Sequence, residues 1–170
     1  MFIREEKPSD YQAVYSVVKE AFKDAEHSDG NEHQLVVALR ESESFISELS
    51  LVAELDGIIV GHIMFTKAKV GESIVLALAP LSVLPAHQRQ GVGSALVKEG
   101  HRIAIELGYE YVVVLGSDTY YPKLGYVVAE QYGIRPPFEV PKEYFMAYQL
   151  QDNVSKVVGI MQYDAAFGVK

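Results

Sequence analysis

The residues best placed to do chemistry lie in one stretch, Leu84-Pro85-Ala86-His87-Gln88-Arg89-Gln90-Gly91-Val92-Gly93-Ser94-Ala95-Leu96. A strand-like segment ends there, a polar turn with two nearby glycines follows, and a helical pattern begins at or just after Gly91. Such a turn is a socket for an anion. Glycines let backbone N–H groups close around phosphate oxygens, and a helix start adds unpaired N–H groups and the positive end of its dipole. The acids that normally gather at a helix start are missing. No Asp or Glu occurs in residues 73–98, although the chain has 23 of them, whereas Arg89 and Lys98 fall inside that window. Two familiar nucleotide sockets do not fit. The string G-x-x-x-x-G-K-[ST] does not occur, and G-x-G-x-x-G fails because Leu96 stands at the third glycine and no acid ends the next strand at the required spacing.

Other chemistries are excluded by composition. The chain has no cysteine, which removes disulfide frameworks, thiolate zinc sites and a cysteine nucleophile. His62 lies between Gly61 and Ile63 and reads as a sheet histidine. His87 and His101 flank the socket, but with no H-x-x-x-H or carboxylate spacing beside them no metal site is expected. Lys and Arg number 15 against 23 Asp and Glu, a net charge of 15 − 23 = −8, so a nucleic acid is not expected as a partner. The first ten residues, MFIREEKPSD, are charged from position 4 and carry no apolar signal core. The longest nearly apolar run, residues 74–86, is broken by Pro80 and Pro85 and falls short of the roughly 18 residues a membrane span needs. The expectation is a soluble, cytoplasmic protein without a membrane partner.

The elements that must position the socket follow from periodicity. Residues 1–5 suit a short strand, and Ser9 with Gln12 reads as a capping box opening a helix whose inner face is Tyr11, Val14, Val18, Ala21 and Phe22. Residues 32–41 suit a second helix with Leu35, Val36 and Leu39 inward. Residues 50–55 and 58–69 read as strands joined at Asp56-Gly57, and Gly71 turns the chain into a third strand over 73–83, giving an antiparallel meander. The period then changes. Leu96, Val97, Gly100, Ile103, Ala104 and Leu107 form one helical stripe that stops at Gly108, and residues 111–115 form a continuously apolar, buried strand. Strand, helix and strand make a βαβ crossover. One helical turn within 118–124 and strands over 126–129 and 144–150 follow. The expected class is α/β, a single domain over residues 1–170 with a mixed sheet, a core over about 1–150, and a C-terminal extension over 151–170 with no assigned role.

The string Gln88-x-x-Gly91-x-Gly93, directly after a strand ending Leu81-Ser82-Val83-Leu84-Pro85, resembles the acyl-CoA signature of the GNAT superfamily of N-acetyltransferases. A second element, Tyr121-Pro122-Lys123-Leu124-Gly125-Tyr126, resembles the family's Y-x-x-x-G-F with Tyr126 in place of Phe. The resemblance covers residues 1–150 in element order and is sharpest over 76–126. It implies the GNAT fold, with acetyl-CoA as co-substrate and no metal. It also implies cofactor binding by Leu81, Ser82, Val83, Gln88, Arg89, Gln90, Gly91, Val92, Gly93 and Ser94, and Tyr121 as general acid toward the departing thiolate. Tyr120 reads as the structural member of the tyrosine pair. Ser117 and Asp118 stand where many members carry an asparagine that reaches the CoA arm. Pro80 lacks an N–H and cannot complete a sheet ladder there, which agrees with the splayed strand of that fold.

The implied reaction is acetyl transfer to a primary amine of a small molecule or peptide, by direct attack on the thioester in a ternary complex. A thioester is already activated, so no covalent enzyme intermediate is required. In several members a glutamate on the strand before the signature takes the amine proton; residues 73–83 contain none. Glu26, Asp29, Glu32, His33, Asp118 and water all stay open as the base. The missing glutamate also keeps a second class open, a non-catalytic acyl-CoA-binding sensor. Residues 24–41 and the turn 133–138 are the expected acceptor walls, and the family's habit of pairing through C-terminal strands makes a homodimer one option.

Overall fold

The computed structural model describes residues 1–25 and 28–169. In chain order the elements are β1 (Phe2–Glu5), α1 (Tyr11–Phe22), α2 (Glu32–Arg40), β2 (Ser50–Leu55), β3 (Ile58–Val70), β4 (Ser73–Val83), α3 (Val92–Glu106), β5 (Tyr111–Leu115), β6 (Val127–Val128), β7 (Ile134–Arg135), β8 (Phe145–Gln149) and β9 (Gly159–Gln162), with single 3₁₀ turns between several of them. The main sheet runs β1-β2-β3-β4-β5-β8-β6. Its neighbours are antiparallel except β4 and β5, which are parallel and joined by α3. This is the mixed α/β arrangement expected from the sequence.

Alternation along the strands assigns the two faces. Leu51 and Ala53 of β2, with Ile63 and Phe65 of β3, turn toward Leu96, Val97 and Ala104 of α3. Val52 and Met64, one residue out of phase, meet Val14 and Val18 of α1 and Val36 and Leu39 of α2. The β2–β3 turn is tight because both central residues take left-handed conformations, Asp56 at φ 52° and Gly57 at φ 80°.

The start of α1 differs from the expected capping box. Asp10 caps the preceding turn instead of Ser9: its carboxylate accepts the Lys7 N–H (2.7 Å) and the Arg4 guanidinium (2.7 and 3.0 Å). Arg4 also donates to Glu54 of β2 (2.8 Å), so one cation ties β1, β2 and the start of α1. A second polar cluster lies deeper. Arg40, at the end of α2, donates to the buried Glu6 carboxylate (Nε 3.0 Å) and lies over the Tyr11 ring at 3.9 Å. Glu6 in turn accepts from Ser50 (2.9 Å), whose oxygen is 3.1 Å from His62 Nε2.

Residues 151–169 are part of the fold, and residues 144–150 are not the last strand. Met161 and Gln162 of β9 pair with Val70 and Lys69, and β9 runs parallel to β7. The cause is β3, which has 13 residues against 6 in β2 and so extends beyond it, leaving a bare edge that β9 covers. Met161, Val157, Ile134 and Phe145 form a further core against Ala68, Val75, Ala77 and Val113, on the sheet face that α1 and α2 leave open.

Gly100, in the middle of α3, is where the helix touches the sheet most closely, since a Cβ there would overlap the fully buried Phe65 ring. Alanine is the better helix former by about 1 kcal/mol, but overpacking a core costs about 1–3 kcal/mol. Gly100→Ala is therefore expected to lower stability in urea unfolding, and Phe65→Leu in the same chain to recover part of the loss.

Candidate active site

Strands β4 and β5 pair only at Leu76–Val112 and Ala77–Val113, and then part. On its other side β4 slips against β3: Ile63 faces Leu81 and Phe65 faces Leu78, so Ala79 and Pro80 fall out of the ladder. Proline has no N–H to offer at that point. A parallel pair that opens like this leaves the main chain of β4 beyond Ala77 unpaired on the β5 side.

One cavity lies along β4 past this opening. It has a volume of about 450 Å³ and is lined by Leu81 and Val83 of β4, His87, Gln88, Arg89, Gly91, Gly93, Ser94 and Tyr120. The Gln88 amide donates to the Val83 carbonyl (3.0 Å) and folds the loop back on the strand end. Arg89 and Gly91 both take left-handed conformations, φ 63° and 88°. For arginine this costs about 1 kcal/mol or more, a strain typical of ligand-facing loops. Gly91 begins α3 with no side-chain cap and no acid in the first turn. The first helical bond runs from Ala95 N–H to the Gly91 carbonyl (3.0 Å), so the N–H groups of Val92, Gly93 and Ser94 have no intrahelical acceptor. The socket read from the sequence has the open N–H groups, the nearby arginine and the lack of competing acids that an anion requires.

Three positions named with the socket point their side chains elsewhere. Ser82 alternates to the opposite face and is buried beside His62, its hydroxyl without a partner among the described residues. Val92 packs against Gly61, and the Gln90 amide reaches back to the Ala86 carbonyl (3.4 Å). What these three can offer the socket is main chain.

The tyrosine pair divides differently from the expectation. Tyr120, read as structural, lines the cavity, its hydroxyl 3.1 Å from Ser94 Oγ. Its position is set by Ser117, whose hydroxyl accepts the Thr119 and Tyr120 N–H groups (3.2 Å each). Tyr121 is only 8% exposed, its ring packed on Gly116 and edge-on to Tyr120 and Tyr126 at 5.0 and 5.4 Å between centroids. Gly116 follows the end of β5, so the ring sits on the β5 side of the opening. Burial pushes the Tyr121 phenol well above its usual pKa and keeps it protonated.

A second cavity, of about 610 Å³, opens on the stretch of β4 before Pro80. Leu78 and Ala79 of β4 and Val113 and Leu115 of β5 line it, opposite Asp29, Asn31, Glu32, Gln34, Leu35 and Ala38 around α2. Phe138 closes one side, in agreement with the turn expected there, but Tyr163, Ala166, Phe167 and Val169 also contribute, and the sequence had assigned them nothing. A local signal existed: Asp164 caps the turn Ala165–Phe167 by accepting the Ala166 N–H (2.8 Å), and Ser44 ties it down (2.7 Å). Of the residues named as possible bases, Asp29 and Glu32 line this cavity. His33 instead packs edge-on to Tyr15 at 4.8 Å, and Asp118 is exposed in the loop after β5. Glu26 lies outside the described residues.

Among the described residues no group of three or more His, Cys, Asp or Glu could hold a metal ion, and no helix is long and apolar enough to cross a membrane.

Comparison with known proteins gives a consistent result. The model of the acetyltransferase (GNAT) family matches residues 11–126. The uncharacterized N-acetyltransferase YjhQ of Escherichia coli K12 is 35% identical over 148 residues, 84% of this chain and 79% of that protein. A crystal structure of E. coli YhbS, a GNAT family N-acetyltransferase in complex with CoA, superposes with a TM-score of 0.88 at 29% identity, covering 98% of this chain and 91% of that one. A GNAT family acetyltransferase from Brucella melitensis in complex with acetyl-CoA gives 0.82 at 32% identity, covering 98% and 97%.

Behind the socket, α3 carries a buried histidine. His101 Nε2 is 2.7 Å from the Tyr126 hydroxyl, and its ring stacks on Tyr148 at 4.3 Å. Burial holds the pKa of His101 down to about 4, and the same cause acts on His62, also about 4. The unfolded chain takes up these protons near pH 6.5 while the folded chain resists until about 4, so the unfolded state binds more protons throughout that interval. Stability is expected to be at its full value above pH 6.5 and to fall as the pH drops toward 4. Urea midpoints measured at half-unit steps check this, and His101→Gln should flatten the slope.

Proposed function

The chain belongs to the GNAT family of acetyltransferases, and from that premise we propose that it transfers an acetyl group from acetyl-CoA to a primary amine in a ternary complex. The observation that carries this reading is the pair of cavities on one strand: Leu81 and Val83 of β4 face the first, Leu78 and Ala79 face the second, and Pro80 lies between them. A donor in one and an acceptor in the other would meet where β4 and β5 part. Holding two reactants in line in this way accounts for a large share of the rate in such reactions.

Each residue then has a task. The open N–H groups of Val92, Gly93 and Ser94 hold the pyrophosphate with Arg89. The free edge of β4 from Leu81 to Val83 aligns the pantetheine arm and presents N–H groups to the thioester oxygen. Acetyl-CoA, when bound, supplies the activated acyl carbon and a thiolate leaving group. Tyr121, kept protonated by its burial on the β5 side of the opening, gives that thiolate its proton, and Tyr120 packs along the arm. Asp29, Glu32 or solvent takes the proton from the amine. A cytoplasmic location belongs to the same reading, in keeping with a cysteine-free chain.

Tyr121→Phe keeps the ring packing and removes one oxygen, so kcat should fall about 100-fold with KM for acetyl-CoA little changed. Tyr120→Phe should act mainly on that KM. Gly93→Val, which would push a side chain toward the Tyr120 hydroxyl 2.9 Å from an added Cβ, should weaken CoA binding at least about tenfold in calorimetry. Tight CoA binding with no turnover on any amine, in wild type and Tyr121→Phe alike, would replace this reading with that of an acyl-CoA sensor.

A further inference from the structure

We propose that the amine accepted by this chain is a small monoamine borne on an apolar body, aromatic or branched aliphatic, and that the C-terminal segment selects it. This rests on the acetyl-transfer reading and narrows it to a class of acceptor. The second cavity, about 610 Å³, falls within the roughly 300–1,000 Å³ of pockets that enclose small molecules.

Its walls divide by chemistry. Leu35, Leu78 and Leu115 form an aliphatic floor, and Phe138, Tyr163 and Phe167 form a continuous aromatic side. Tyr163 stacks near Phe138 at 6.1 Å and meets Phe167 at 5.0 Å between centroids. Charge enters from one rim only. Glu32, at the first turn of α2, is held by the Ser28 hydroxyl (2.7 and 2.8 Å), and Asp29 lies beside it; the described lining residues include no Lys, Arg or His.

A single ammonium can pair with that rim while its body is desolvated by the floor and the rings. Near apolar walls the neutral amine, the form that attacks, is favoured over the ammonium. A polyamine or an aminoglycoside would carry more ammonium groups than the two rim carboxylates, Asp29 and Glu32, can pair, and burying an unpaired charge against the aliphatic floor is strongly unfavourable.

The test compares phenethylamine, spermidine, kanamycin and a lysine-containing peptide as acceptors for the full chain with acetyl-CoA, reading CoA release. Phenethylamine should be preferred by at least about 30-fold in kcat/KM. Phe167→Ala should raise its KM about tenfold, with KM for acetyl-CoA within about twofold of wild type, and Phe167→Leu should recover much of the loss. Preference for spermidine, kanamycin or the peptide would overturn the proposal, as would an unchanged amine KM in Phe167→Ala. Should no amine be turned over, the acetyl-transfer reading fails separately. Calorimetry of the same amines with the CoA-loaded protein then decides: tighter binding of phenethylamine than of spermidine, lost in Phe167→Ala, supports the acceptor class, and the reverse order refutes it.

Discussion

Two strands that stop pairing partway along their length govern this molecule. Parallel strands are ordinarily stabilised by a continuous ladder on both sides, and β4 gives up half of that ladder after Ala77. The cost is exposed main chain in the middle of a sheet, tolerable only where a ligand or solvent can meet the orphaned groups. Around the opening the chain is arranged to prevent its closure. The slip between Ile63–Leu81 and Phe65–Leu78 turns β4 away, and Pro80 removes one donor. Both cavities are by-products of that geometry, and for that reason they share a strand.

Holding the opening requires its flanks to be rigid, and buried charge supplies part of that rigidity. Glu6, Arg40, Ser50 and His62 join the residue after β1, the end of α2, the start of β2 and the interior of β3 in one hydrogen-bonded cluster. A buried ion pair contributes little net stability compared with apolar packing, but removing one partner leaves an uncompensated charge and costs several kcal/mol. The cluster therefore acts on register more than on stability. It ties the C-terminal end of α2 to the sheet, and the same helix carries Glu32 and Leu35 along the second cavity.

The first cavity was legible in the sequence because its parts are local. Residues 81–94 are contiguous, and two glycines, an acid-free helix start and a proline within a strand each have a direct conformational meaning. The exceptions have the same origin. Tyr120 and Tyr121 are adjacent, and only the packing of Tyr121 on Gly116 decides which ring turns inward. The second cavity was half legible. Its α2 wall and Phe138 were expected, but Tyr163 and Phe167 reach it through β9, whose partners Lys69 and Val70 lie more than ninety residues away. Four residues with a weak alternation carry no sign of such a partner, and Ser9 likewise yields to Asp10 because Arg4 sits across the turn.

The C-terminal location of that wall bears on the order in which the protein is made. Every residue lining the first cavity has been synthesised once the chain reaches Tyr120, whereas the second cavity lacks its aromatic side until Phe167 has been added. A chain emerging from the ribosome thus carries the socket before it carries the enclosure opposite. The wall proposed to select the amine is therefore made after the socket proposed to hold its co-substrate.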